Sequence, residues 1–201
     1  MSATKSHRIG GSRYQDGVAA VEFALLVIAF LIVLFGILEV ARVMYMFNTL
    51  AEVTRSAARG AANTSFKDTG GLDLVRKRAV FNETTGELPF GSPIDYRHIR
   101  FEYLSLRANS YTLETIPEAL LPSCPAKNRL ICMNDPNGPN TNCIRAVRAS
   151  ICAEGQAEGA CTAVEYKTIF PFIPMPLTLP TSVTIVTAES LGYRAGDLPC
   201  N

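Results

Sequence analysis

The chain has 201 residues, with 19 lysines and arginines against 18 aspartates and glutamates and a formal net charge of +1. That balance argues against a nucleic-acid partner, because backbone binding relies on clustered cations. An apolar run takes part of the length near the N-terminus, and the remaining residues are enough for one compact domain with a modest core.

Residues 1–17 carry Lys5, His7, Arg8 and Arg13 against Asp16 and lead into an apolar run over residues 18–38 whose one charged residue is Glu22. At about 21 residues the run matches the roughly 20 that a helix needs to cross a bilayer core. Its Leu, Ile, Phe and Val side chains each contribute about −0.3 to −0.6 kcal/mol to insertion, so one glutamate close to an interface does not prevent it. A carboxylate kept in such a run is a functional hypothesis in itself, set against the plainer reading of a glutamate that snorkels to the interface. The basic flank keeps residues 1–17 in the cytoplasm by the positive-inside rule and sends everything after Arg42 outward. A cleaved secretory signal is the competitor. Its apolar region should be shorter and end at a small-x-small site, whereas this run exits through Ile37, Leu38, Glu39, Val40, Ala41 and Arg42.

Gly17, followed by Val18, Ala19, Ala20 and Val21 and then by Glu22 and Phe23, resembles a type IV prepilin cleavage site. The longer stretch, through Phe35, Gly36, Ile37, Leu38, Glu39, Val40, Ala41 and Arg42 and on to Ala57, Ala58, Arg59, Gly60 and Ala61, is similar to the TadE-like pilus-assembly proteins. Those are pseudopilins of the Tad (tight adherence, Flp-type) systems, and the similarity is confined to about residues 17–62. The resemblance implies that a membrane-embedded prepilin peptidase cuts between Gly17 and Val18 on the cytoplasmic side. It also implies a minor pseudopilin in the bacterial inner membrane that primes, anchors or caps a thin pilus. Its partners would be the major pilin, sibling pseudopilins, the inner-membrane assembly platform and the lipid bilayer.

Glu22 then acquires a physical task. The new α-amino group at Val18, with an ordinary pKa of about 7.7 to 8.0, would be a cation at the edge of a low-dielectric medium. The carboxylate of Glu22, beside Phe23, can neutralise that amine in the same subunit or a neighbour. At about 4 Å and an effective dielectric of about 20 the pair is worth roughly 4 kcal/mol before desolvation is subtracted. It serves as a register device more than as a source of stability.

Beyond the membrane the helix is expected to continue as a periplasmic segment over residues 39–62. Val43, Met46, Phe47, Leu50, Val53, Thr54, Ala57 and Ala61 recur at spacings of three and four, while Arg42, Asn48, Glu52, Arg55 and Arg59 fall on other faces. Gly60 and Asn63 offer stop signals. A helix over residues 18–62 would be roughly 67 Å long.

The head, residues 63–201, is expected to be α+β, with the long pilin-like helix packed on a mainly antiparallel sheet. A short helix is read near residues 72–81, its Arg76, Lys77 and Arg78 turned to water. Alternating residues from Ile99 to Tyr103, with Tyr111 and Leu113 after a turn at 107–110, predict a hairpin. A third apolar stretch, 129–133, comes next in the same run of strands. Loop 135–142 is read as a plain turn rather than a calcium site, since it lacks the spacing and terminal Glu of an EF-hand loop. Further strands are expected at 143–152, 163–170 and 182–188. The proline-rich stretch 170–180 is read as a cover over the sheet in preference to an exposed docking surface.

All six cysteines, Cys124, Cys132, Cys143, Cys152, Cys161 and Cys200, fall in the outer half. Structural disulfides formed in an oxidising periplasm account for this clustering, with the pairing left open by the sequence. No Cys-x-x-Cys occurs and His98 is the one histidine of the outer part, which gives little support to a metal site or to redox chemistry. No cofactor is expected. Nor is an enzyme, since no nucleophile elbow, zincin motif or phosphate-cradling loop occurs. The alternative to the pseudopilin is a signal-anchored periplasmic binding module, not processed by a prepilin peptidase, in which Glu22 is incidental.

Overall fold

The computed structural model describes residues 15–107, 111–134, 142–157, 159–172, 175–197 and 200. The basic flank 1–14, the turn residues 108–110, and loop residues 135–141 with the calcium reading attached to them lie outside that set. The chain divides into two units, Met1–Ala41 and Arg42–Asn201. Helix α1, Gln15–Ala62, begins in the first and ends in the second.

In the first unit the described residues are helical throughout, and their apolar side chains are uncovered: Phe23 is 69 % exposed, Leu26 70 % and Phe30 65 %. Burying one such side chain is worth about 1.5–3 kcal/mol, so a stripe of them on all sides calls for lipid rather than water. Among the described residues one helix, Gly17–Ala62, is long and apolar enough to cross a membrane.

The second unit is built on the rest of α1. Val43, Met46, Leu50, Val53, Ala57 and Ala61 are buried at the spacing the sequence predicts. Phe47, expected on that stripe, is instead 40 % exposed, while Ala58 and Ala62 join it. The alanines shorten the distance at which the helix backbone can lie against its neighbours. Thr54 is buried without an unmet hydroxyl: its Oγ1 bonds the Ala51 carbonyl at 3.0 Å and meets Thr184 Oγ1 at 2.9 Å. Gly60 does not stop the helix, which runs two residues further. A Cβ there would stand 2.5 Å from Val75 Cγ1, so the glycine permits the close crossing of the helix that follows. The helix end is satisfied by Thr64 Oγ1 and the Asn63 amide on the Gly60 carbonyl and by the Leu191 amide on that of Ala62.

Helix α2, Thr69–Ala79, starts earlier than expected because Asp68 caps it, accepting from the Gly71 amide at 2.9 Å. Its basic cluster is not uniformly turned to water. Arg76 is half-buried, donates to the Ile99 carbonyl at 3.1 Å and stacks 4.9 Å from the Phe101 ring centre, and Lys77 lies over Tyr96. The long stems of these cations cover apolar surface, which a reading of charge alone does not anticipate.

The sheet is antiparallel throughout, in the order β2-β1-β3-β4, from β1 (Ile99–Leu106), β2 (Leu113–Thr115), β3 (Ala146–Ile151) and β4 (Val183–Thr187). The predicted alternation is observed. Ile99, Phe101 and Tyr103 join the two apolar clusters that also hold the α1 stripe, and on the opposite parity Glu102 pairs with Arg148 at 3.0 Å. Tyr103 is the exception to polar satisfaction: among the described residues its buried hydroxyl has no hydrogen-bond partner, and burial pushes its ionisation well above the ordinary tyrosine range.

Two expected strands are corrected. The stretch 129–133 belongs to helix α3, Pro125–Asn134. A short apolar run has no period of its own, and here Pro125 at the first helical position with Ala126, Lys127 and Arg129 decides for helix. Segment 163–170 forms no named strand. A single bridge joins Glu165 to Thr178, with Tyr166 donating to the Leu177 carbonyl and Leu179 to that of Val164, because its partner is the proline-rich stretch, whose prolines lack donors. That stretch does cover the core through Leu179 and Met175, yet Phe172 stays 57 % exposed.

The six cysteines pair as Cys124–Cys200, Cys132–Cys143 and Cys152–Cys161, with sequence separations of 76, 11 and 9. Two of these bonds hold α3 at both ends, and the buried Asn128 between them accepts from the Ile144 amide at 2.9 Å. Loop-closure entropy assigns about 4.5 kcal/mol to the long bridge and about 2.7 kcal/mol to each short one. Denaturant unfolding of the C124A/C200A double variant is therefore expected to show the largest loss of stability, and C152A/C161A a smaller one.

Candidate functional site

Gly17, Val18, Glu22 and Phe23 all lie on α1. Glu22 comes four residues after Val18, so the two share a face, and helical side chains lean toward the N-terminus, which carries the Glu22 carboxylate back over the turn that holds Val18. Val18 is 59 % exposed and Phe23 69 %. Glu22 is exposed as well, and no described residue forms an ion pair with it. A Cβ added at Gly17 would meet nothing within 4 Å among the described residues, so the glycine answers no packing demand there. Glu39, one residue beyond the apolar run, is buried at 1 % exposure.

Arg42, which the sequence places away from the apolar stripe as a solvent-facing cation, is a clamp. Its Nε donates to the Phe90 carbonyl at 2.9 Å and Nη2 to that of Ser92 at 2.6 Å, while Nη1 reaches the Lys167 carbonyl at 2.7 Å and Tyr166 Oη at 3.0 Å. The guanidinium also lies 5.0 Å from the Tyr166 ring centre. Only a planar fork can bind two loops in this way, and Tyr45 adds a bond from its hydroxyl to the Pro89 carbonyl at 3.0 Å. Fork geometry at Arg42 has no local sequence signal, because three backbone carbonyls and the Tyr166 hydroxyl that accept from it lie 48 to 125 positions away.

A second polar constellation centres on a 3-10 turn, Tyr96–His98, capped by Asp95. Asp95 Oδ1 accepts from the Arg97 amide at 2.8 Å, and its Oδ2 accepts from Arg97 Nε at 3.0 Å and Nη2 at 2.6 Å. His98 Nδ1 stands 2.9 Å from Asp95 Oδ1 and also 3.2 Å from the Asp95 amide. One ring nitrogen cannot donate to the first and accept from the second at once, so the proton on Nδ1 selects between them. Glu154, on the loop closed by Cys152–Cys161, brings Oε1 to 3.3 Å from Arg97 Nη2 and 4.0 Å from His98 Nδ1. A cleft of about 420 Å³ opens beside Arg97, His98, Arg100 and Glu154. Burial alone pushes the Asp95 carboxyl up, but the hydrogen bonds from Arg97 and His98 outweigh it and hold the group below its ordinary value.

The ligand atoms of Asp95, His98 and Glu154 lie within 4.8 Å of one another, close enough for one cation to touch all three. Arg97 already bonds both carboxylates, however, so a metal would have to displace a guanidinium that neutralises them. The Asp-x-x-His spacing of the cap is visible in the sequence, whereas Glu154 is not placeable without the fold. The arrangement therefore reads as a structural staple that fixes the start of β1 to the disulfide loop.

Arg42→Ala is expected to cost about 2 kcal/mol in denaturant unfolding and to raise amide exchange in residues 89–92 and 166–168, with Arg42→Lys restoring only part of the protection. Asp95→Ala should cost about 1 kcal/mol as a lost cap. Because the folded carboxyl titrates below its ordinary value of 3.8, its contribution is in place above that pH and is lost as pH falls through the lower folded value. The melting temperature of the unmodified chain is thus expected to fall with acid in that range, and Asp95→Ala to flatten this part of the profile.

No curated protein and no solved structure matches the chain. Residues 17–59, which hold the Gly17-to-Phe23 motif, the apolar run, Arg42 and most of the buried stripe of α1, match the family model of TadE-like proteins. Over that helical segment the chain is similar to TadE-like proteins.

Proposed function

We propose that this protein is a minor pseudopilin of a Tad-type pilus, cut between Gly17 and Val18 by a prepilin peptidase and held in the inner membrane by residues 18–38. The observation that carries the reading is Glu22, an acid in an otherwise apolar helix, four residues from the residue that becomes the new N-terminus. Cleavage creates a cation there, and the carboxylate leans back toward it. The leader stays on the cytoplasmic side and the disulfide-bonded second unit works in the periplasm, where its cysteines oxidise.

The role is assembly rather than catalysis. Neighbouring spines, those of the major pilin and of sibling pseudopilins, would pack along α1 in the lipid, with the amine of one chain able to meet Glu22 of the next. The membrane assembly platform and the peptidase complete the partner set, and the energy for growth comes from elsewhere.

Intact-mass analysis of the protein from cells with an active prepilin peptidase is expected to give Val18 as the first residue. An intact Met1 under those conditions would overturn the reading in favour of the anchored binding module. Substituting Gly17 by a larger residue should abolish processing while leaving membrane insertion unchanged, since a Cβ there meets no described residue within 4 Å. Glu22→Ala should insert and be processed, yet reduce piliation.

A further inference from the structure

Beyond the end of β2 the edge of β1 lies open for the length of a single residue. The Cys152 amide donates to the His98 carbonyl, so residues 98, 100 and 102 turn their backbone groups toward β3, and residues 99, 101 and 103 turn theirs to the opposite edge. On that edge the Tyr103 carbonyl accepts from the Ile116 amide at 2.8 Å, after which Pro117 leads the chain into a 3-10 turn. The Ile99 carbonyl accepts from Arg76 Nε at 3.1 Å. Phe101 lies between these two bonds, and among the described residues nothing pairs with its outward amide and carbonyl. A cleft of about 430 Å³ opens at this gap, a size suited to a small ligand. Phe66, Leu72, Ile116 and Leu121 give it apolar walls. Tyr103 lines it too, 7 % exposed and carrying the buried hydroxyl that no described residue satisfies. The Tyr103 ring meets that of Phe66 edge-on at 5.6 Å and its hydroxyl feels the charge of Arg76, so the unmet group sits among the residues that wall the cleft.

We infer that this notch receives the C-terminal residue of another polypeptide, whose amide donates to the Phe101 carbonyl, whose apolar side chain enters the cleft, and whose carboxylate accepts from the Phe101 amide, Arg76 Nη2 and the Tyr103 hydroxyl. Each of those donors is available. Arg76 commits Nε to Ile99 and Nη1 to Asp73, at 2.5 Å, and its Nη2 bonds no described residue. Arg100, which also lines the cleft, bonds the carbonyls of Ala157 and Ala160, so its charge meets no acid among the described residues. Of the acids in the lining, Glu102 is paired with Arg148, and Glu118 is exposed on the 3-10 turn. Antiparallel pairing with β1 directs an incoming segment toward Ile99, where Arg76 already occupies the next carbonyl. A strand that continued would meet this plug. A chain end stops short of it and presents the negative charge that a guanidinium binds best. The same carboxylate would satisfy the Tyr103 hydroxyl, which otherwise stays buried at a cost.

The full chain, isotope-labelled in detergent micelles, would be titrated with acetyl-valyl-leucine as the free acid, with the same dipeptide as its C-terminal amide, and with isocaproate, which has the leucine side chain and a carboxylate but no amide. The Phe101 amide resonance is the readout. The free acid is expected to shift it saturably, and the dipeptide amide to bind about tenfold more weakly, as the loss of a charge-assisted bond dictates. Tyr103→Phe should weaken the free acid several-fold while leaving the melting temperature of the unliganded chain unchanged or higher, because the hydroxyl it removes has no described partner. Arg76→Gln should abolish the preference for acid over amide. A Phe101 resonance that no probe moves would overturn the inference, as would an amide that binds as tightly as the acid. Isocaproate binding as tightly as the dipeptide would overturn it in favour of a small free acid. An affinity unchanged in Tyr103→Phe would overturn it as well, since the unmet hydroxyl is what marks the cleft.

Discussion

The second unit depends on one face of one helix. From Arg42 onward α1 presents Val43, Met46, Leu50, Val53, Ala57 and Ala61 in a continuous stripe, and both apolar clusters of the head form against it. The cluster nearer Arg42 draws in Leu88, Ile94, Ile99, Ile151 and Leu179, and the one nearer Ala62 draws in Phe66, Leu72, Tyr103, Val147 and Leu191. Each strand of the central pair touches both. Without the helix, β1 and β3 would have an uncovered apolar face, and a four-stranded sheet with one bare face is not independently stable.

Hydrophobic burial sets the layers, and polar contacts set the loops. Arg42, the Asp95 cap and Asn128 each hold an irregular segment by its backbone, where no ladder is available to do so. The disulfides act on the same class of segment: two flank α3 and one closes the loop bearing Glu154. A head whose elements are joined by long irregular segments compensates by covalent closure, which lowers the entropy of its unfolded state.

The continuity of α1 links the two units in sequence while their solvents differ. In residues 18–38 apolar side chains point to all sides, whereas from Val43 the buried ones form a stripe on one face, with Met44, Tyr45 and Phe47 left exposed. The change in pattern from all-round to one-sided marks where the helix passes from a medium that accepts hydrocarbon to one that does not. Arg42 stands at that change of pattern, and three backbone carbonyls and the Tyr166 hydroxyl accept from its guanidinium.

What the sequence by itself determined was local or periodic. The apolar run, the one-sided stripe after it, the end of α1 near Ala62 and the alternation of β1 are each written within a few consecutive residues, and each is found in the structure. The resemblance to TadE-like proteins was also legible there, since it resides in one helix. The tertiary structure alone decided which cysteines pair, that 129–133 is helical, that 163–170 lacks a ladder partner, that Arg76 turns inward and that Arg42 joins two distant loops. Glu154 came to Arg97 in the same way. The physical reason is common to all of them: a period of 3.6 or 2 constrains neighbours along the chain, whereas the partner of a thiol, a guanidinium or a short apolar run is chosen by closeness in space, among segments that chain order does not bring together.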